Sequence, residues 1–318
     1  MPDTVRAWGA NDFGQLGDGT TTNRTTPVQV QTLRSVEAVT AGFEHSLALL
    51  SNSTVSAWGD NSSGQLGDGT TTNRTTPVQV QTSGGPLSGV EVVAASGLHS
   101  LALLADGTVH AWGRNDFGQL GDGTTTNRTT PVQVQTPPNV IAVAAGSGHS
   151  LALQSGLLTT TVFAWGRNNF GQLGDGTTTN RTTSVQVQTL LGVLSEVTAV
   201  GAGFHSLALQ SGLLTTTVFA WGRNDFGQLG DGTTTNRNKA VRVQALGGLL
   251  SGVEAVTAGA FHSLARLPGG SARAWGRNDF GQLGDGTTTN RNKAGVVPNL
   301  RSVETMAANG FHTLAIVS

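Results

Sequence analysis

The chain has 318 residues, 45 of them Gly, with no Cys, no Tyr, a charged fraction of 12% and a formal net charge of −1. The missing cysteines exclude thiolate zinc sites, disulfides and thiol catalysis, and the near-neutral balance argues against a nucleic-acid or polybasic membrane partner. No apolar run approaches the roughly 18 residues of a membrane-spanning helix, and Met1-Pro2-Asp3 does not open a signal peptide.

Taken in chain order, the predicted elements are short strands. The first predicted strand is Val5-Arg6-Ala7-Trp8, and a Gly-rich loop leads from it to a second strand before residue 32. The next unit predicts four strands, at 39–42, 46–50, 55–58 and 78–80. β-branched and aromatic residues bounded by Gly, Asn, Asp and Pro clusters carry that reading. No stretch of ten or more residues holds a helical period.

The same unit then recurs. Trp8, Trp58, Trp112, Trp165, Trp221 and Trp275 lie 50, 54, 53, 56 and 54 residues apart, and each opens a string close to AWGRNDFGQLGDGTTTNR (residues 111–128). A second string, close to AG-x-x-HSLAL, carries His45, His99, His149, His205, His262 and His312. Residues 151–181 and 207–237 differ only at Asn169 against Asp225, the mark of a duplication. Six units of four short strands predict an all-β protein, a six-bladed β-propeller. The blades fall at about 33–82, 83–136, 137–189, 190–245 and 246–297, the sixth joining 298–318 to 1–32, in one domain spanning 1–318. The two ends are complementary halves, so residues 303–317 are expected to pair with 4–31 in a two-plus-two closure that removes open sheet edges.

The strings AWGRNDFGQLGDGTTTNR and AGFEHSLALL resemble the regulator-of-chromosome-condensation repeat family, and the resemblance covers essentially the whole chain. It implies a propeller, usually of seven blades where this chain shows six units. It also implies a binding role. Members include a nuclear guanine-nucleotide exchange factor, which inserts a wedge-like loop into its GTPase partner, and a propeller-type β-lactamase inhibitor. The even unit length leaves no room for such a wedge, and the weak charge disfavours nucleosome contact.

The repeated residues read as scaffold. The six Trp rings are expected to lie between neighbouring sheets, and the six Asp-Gly pairs to make turns. The six His are expected to bond nearby backbone carbonyls. The arginines after AWG and those closing each GDGTTTNR string are expected to pair with loop aspartates. Neither a metal nor a cofactor is expected, and no GxSxG, HExxH or P-loop string is present.

Variation between units marks the candidate binding positions. The turn before each repeated His places Phe43, Glu44, Leu98, Gly148, Phe204, Phe261 and Phe311 at the expected channel mouth. Three Phe and one Leu predict an apolar ring broken by Glu44, fit for a protein partner. The opposite face carries unequal loops, with Leu157-Leu158 and Leu213-Leu214 as a second apolar patch. The reading is therefore a monomeric, non-enzymatic scaffold that binds a protein through one face. Its rivals are a multivalent carbohydrate or small-ligand binder using equivalent sites between blades and, as the resemblance implies, a guanine-nucleotide exchange or enzyme-inhibitor role. Six Asn-x-Ser/Thr strings in a Cys-free chain point to a bacterial source, cytoplasmic or exported.

Overall fold

A computed structural model describes residues 5–318. Five consecutive antiparallel meanders form the blades. The first runs through Val36–Ala41, His45–Leu50, Val55–Gly59 and Arg74–Gln79, and the third through Val140–Ala145, His149–Ser155, Thr160–Gly166 and Arg181–Gln186. Register is the same from blade to blade: His45 faces Gly59, His99 faces Gly113 and His149 faces Gly166. The outermost strand starts earlier than its sequence suggests. Its Thr-Thr-Pro segment follows a register shift between Ala57 and Gly59, on the blade edge where Pro removes no ladder bond. Hairpins at 188–193 and 244–249 attach in parallel to the outer strand of the following blade, Thr189 beside Ala240 and Ala245 beside Ala294, widening two sheets from four strands to six. Among the described residues the one helical element is the 3-10 turn Pro268–Gly270.

The apolar core lies between the sheets. Leu151, Leu153, Val162 and Ala164 of one blade close against Leu173, Val187, Ala208 and Trp221 at the next joint. Five joints are built the same way among the described residues. Trp165 is fully buried and its Nε1–H donates to the Gln119 carbonyl at 2.9 Å; Trp58, Trp112, Trp221 and Trp275 repeat this bond. Gly121 is required there, because at φ +66° a Cβ would stand 2.7 Å from Trp165 Nε1.

Six inner strands, one per unit, surround a single axis and line a cavity of ≈ 430 Å³ floored by Ala41, Ala95, Ala145, Ala202, Ala258 and Ala308. At the axis the last unit meets the first, where Asn309 Nδ2 donates to the Ala41 carbonyl at 3.5 Å. The outer part of that joint departs from expectation. Arg6–Gly9 pairs only with Arg24–Gln29, and Val303–Asn309 only with His312–Val317, as separate two-stranded sheets. The two-plus-two ladder is not formed among the described residues, and Trp8 is 57% exposed where its counterparts are buried. The physical reason is local. Every joint is set by contacts of one unit with the next, so no unit registers how many complete the turn. Residue 4 of the expected ladder lies outside the described residues.

Candidate functional site

The bonding of the scaffold residues decides which groups are left for chemistry. His149 Nε2 lies 2.8 Å from Ser206 Oγ, and Ser206 Oγ donates to the Gln172 carbonyl at 2.9 Å. The same chain links His45 to Ser100, His99 to Ser150, His205 to Ser263 and His262 to Thr313. The expected carbonyl partner of each His is thus replaced by a hydroxyl of the following blade, which itself reaches the carbonyl. A His beside a Ser has the look of a nucleophile and its base. The proton inventory says otherwise: the hydroxyl proton is committed to the carbonyl, so the imidazole must donate from Nε2. Burial holds His99, His149 and His205 at about 3 and His45 and His262 at about 4. These neutral rings join blades. His312, at the open joint, is exposed.

The long loops are equally self-contained. Asn115 is buried; its Nδ2 donates to Asp122 Oδ1 and to the carbonyls of Thr124 and Thr126, while its Oδ1 accepts from the Leu120 amide. Asp122 also accepts from Thr124 and pairs with Arg128 at 2.6 Å. Burial alone would raise the Asp122 pKa; the bonds from Thr124 and Arg128 outweigh it and leave it lowered. The turn and loop-pairing expectations for the Asp-Gly and GDGTTTNR strings hold.

The mouth of the channel is different. Phe204 and Phe261 stack with centroids 4.7 Å apart and planes at 7°; Phe311 continues the stack at 6.2 Å and Phe43 reaches Phe204 at 6.4 Å. Phe43 and Phe311 remain 46% and 47% exposed. Phe204, Phe261 and Phe311 thus come together in one stack with Phe43 at its end. Leu98 sits half-buried in its own turn, and Glu44 marks an acidic side whose pKa is raised by burial, then by Asp60 and Asp12.

A second set was not anticipated as part of this surface. Phe117, Phe170, Phe226 and Phe280, from the long loops, alternate with the arginines that follow AWG. Arg167 lies over Phe117 (5.0 Å) and Phe170 (5.5 Å), Arg223 over Phe170 (4.8 Å) and Phe261 (5.1 Å), and Arg277 over Phe226 (4.8 Å) and Phe311 (5.1 Å). Arg114, Arg223 and Arg277 also pair with Asp116, Asp225 and Asp279 at 2.6–2.7 Å. The signal was present in the sequence: the AWG-x position reads Ala10, Asp60, then Arg four times. Cation–π contacts of this kind contribute about 0.5–1 kcal/mol each where exposed, enough to order the arc without burying it.

On the opposite face the leucine-tipped turns stand free, Leu157, Leu158, Leu213 and Leu214 being fully exposed. Among the described residues no cluster of His, Asp and Glu has metal-binding geometry.

The family model described as RCC1-like domain matches residues 4–318. The chain belongs to the RCC1-like domain family. Human E3 ubiquitin-protein ligase HERC2 is 32% identical over 321 residues, covering 97% of this chain and 6% of HERC2. The Arabidopsis thaliana ultraviolet-B receptor UVR8 is 35% identical over 205 residues, covering 64% of this chain and 44% of UVR8. This RCC1-like chain thus spans less than half the length of those curated relatives. Among solved structures, yeast RCC1 (Prp20) bound to Kap60 superposes with a TM-score of 0.81 at 23% identity, over 100% of this chain and 77% of that one. Human WBSCR16 gives 0.68 at 19% identity, over 99% and 100%.

Proposed function

We propose that this RCC1-like chain is a non-enzymatic scaffold that takes a protein partner on the channel-mouth face. The observation that carries the reading is the arc of phenyl rings and guanidinium groups around the mouth, with Phe43 and Phe311 half-exposed. Aromatic side chains and Arg are the residue types that dominate protein interfaces, and a large exposed aromatic patch on an otherwise polar loop surface marks such a site. Yeast RCC1 (Prp20), of the same fold, has been solved with Kap60 bound. The carbohydrate reading draws less support. The equivalent Asn and Asp side chains of the long loops bond one another, and the five Trp rings at the joints are buried.

Affinity capture from the source organism tests the reading, with the captured proteins identified by mass. The bait is compared with a Phe204→Ala/Phe261→Ala/Phe311→Ala variant and with a Leu157→Ser/Leu158→Ser/Leu213→Ser/Leu214→Ser variant. The same partner should survive in the leucine variant and be lost in the phenylalanine variant. The reverse pattern would move the interface to the opposite face.

A further inference from the structure

Of the four arginines on the mouth face, three carry their own carboxylate. The fourth does not. Arg114, Arg223 and Arg277 are paired with the Asp two residues later, but the residue two after Arg167 is Asn169. Among the described residues Arg167 has no ion pair, and its Nε is buried without a hydrogen-bond partner. The guanidinium lies between the rings of Phe117 and Phe170. Gly148 adjoins it: a Cβ there would stand at ordinary contact distance, 3.5 Å, from both Arg167 Cβ and Phe117 Cδ2. Its pKa is lowered by burial and then by Arg223 and Arg114. No carboxylate offsets them.

Resting on the mouth-face reading, we propose that Arg167 is the recognition point for a carboxylate of the partner, an Asp or Glu side chain in an acidic, partly apolar segment. The incoming carboxylate would pair with the terminal nitrogens of the Arg167 guanidinium, its Nε being buried, and supply from outside the anion that Asp225 supplies to Arg223 within the chain. Charge-assisted bonds to a planar guanidinium are strong and directional, and the flanking rings shield the pair from water. The near-duplicate units make the comparison internal. Residues 151–181 and 207–237 differ only at Asn169 and Asp225, so one unit has its anion built in and the other leaves that place for a ligand.

The test pans a random 12-residue peptide library against the full chain and measures the enriched peptides by fluorescence anisotropy. Enriched peptides should carry an acidic residue beside apolar ones, and replacing that residue by its amide should weaken binding about tenfold or more. Asn169→Asp, which copies a residue the chain already accommodates at Asp225, should weaken binding by a similar factor. Asp225→Asn should strengthen it. Peptides without an acidic residue, or affinities unmoved by Asn169→Asp, would overturn the carboxylate proposal. If those peptides are still lost on Phe204→Ala/Phe261→Ala, the mouth-face reading survives that failure. Binders indifferent to the phenylalanine variant would sink the mouth-face reading itself. Sedimentation of the free chain supplies the remaining arm: self-association abolished by Asn169→Asp would identify the occupant as a second copy and overturn the partner assignment.

Discussion

The buried histidines make acid stability the sharpest consequence of the joint chemistry. His45, His99, His149, His205 and His262 are kept neutral by burial, with pKa values falling from 6.5 to about 4, 3, 3, 3 and 4. In the unfolded chain each takes up a proton below pH 6.5; in the folded chain each stays neutral until about pH 4 or 3. The unfolded state therefore binds more protons throughout that window, and stability falls as pH falls. Above pH 6.5 both states are neutral and the histidines contribute nothing. Each proton costs about 1.4 kcal/mol per pH unit, so five give a slope of about 7 kcal/mol per pH unit between roughly pH 6 and 4.5. Against a typical domain stability of about 5–15 kcal/mol, that slope places acid unfolding near pH 5. The loop aspartates act lower. Their folded pKa values are depressed, Asp285 to about 2, so their contribution is present above about pH 4 and lost only beneath it. Proton uptake on urea unfolding at pH 5.5, read with an indicator dye, should be close to five per chain. A His149→Gln variant should lower it by one, whatever its absolute stability. Uptake of fewer than two protons would refute the assignment of these rings as neutral donors.

Three further outcomes follow from the joints and loops. Trp165→Phe should cost about 1–3 kcal/mol in urea denaturation, by shrinking a fully buried ring and removing one of the two bonds to the Gln119 carbonyl, the other coming from Ser150 Oγ. Trp8→Phe, at the open joint, should cost less than about 0.5 kcal/mol; equal costs would mean that the outer joint closes in solution. Gly118→Ala and Gly281→Ala share a positive φ, +81° and +77°, but a Cβ meets Thr182 Cα at 2.7 Å only at Gly118, so Gly118→Ala should be the more destabilising in thermal melts. Asp122→Asn should lower stability by about 1 kcal/mol, small because Arg128 remains partly exposed.

The fold was legible because the sequence repeats. One unit's pattern of Trp, Gly and His is seen six times in register, so chance matches cancel and the placement of Trp between sheets follows from its recurrence. The aromatic positions at 204, 261 and 311 were legible for the opposite reason, since they vary where the rest is constant. The long-loop phenylalanines were not, because Phe117 and its equivalents look like scaffold when repeated. Only the three-dimensional crossing of one unit's Arg over the previous unit's Phe shows that a repeated residue also builds the surface. The His partners were missed for a related reason. The acceptor Ser206 stands 57 residues from His149, and no local spacing connects them. The outer closing joint differs from the expectation, since complementary halves in sequence do not by themselves fix how many units complete the turn.

On the proposed function, the mouth face is where the chain meets another protein. Site-specific photocrosslinking in the source organism tests it most directly, with benzoylphenylalanine placed singly at positions 43, 261 and 311 on the mouth and at 158 and 213 on the opposite face. One common protein adduct is expected from the three mouth positions and none from the leucine turns. Adducts confined to 158 and 213 would contradict it.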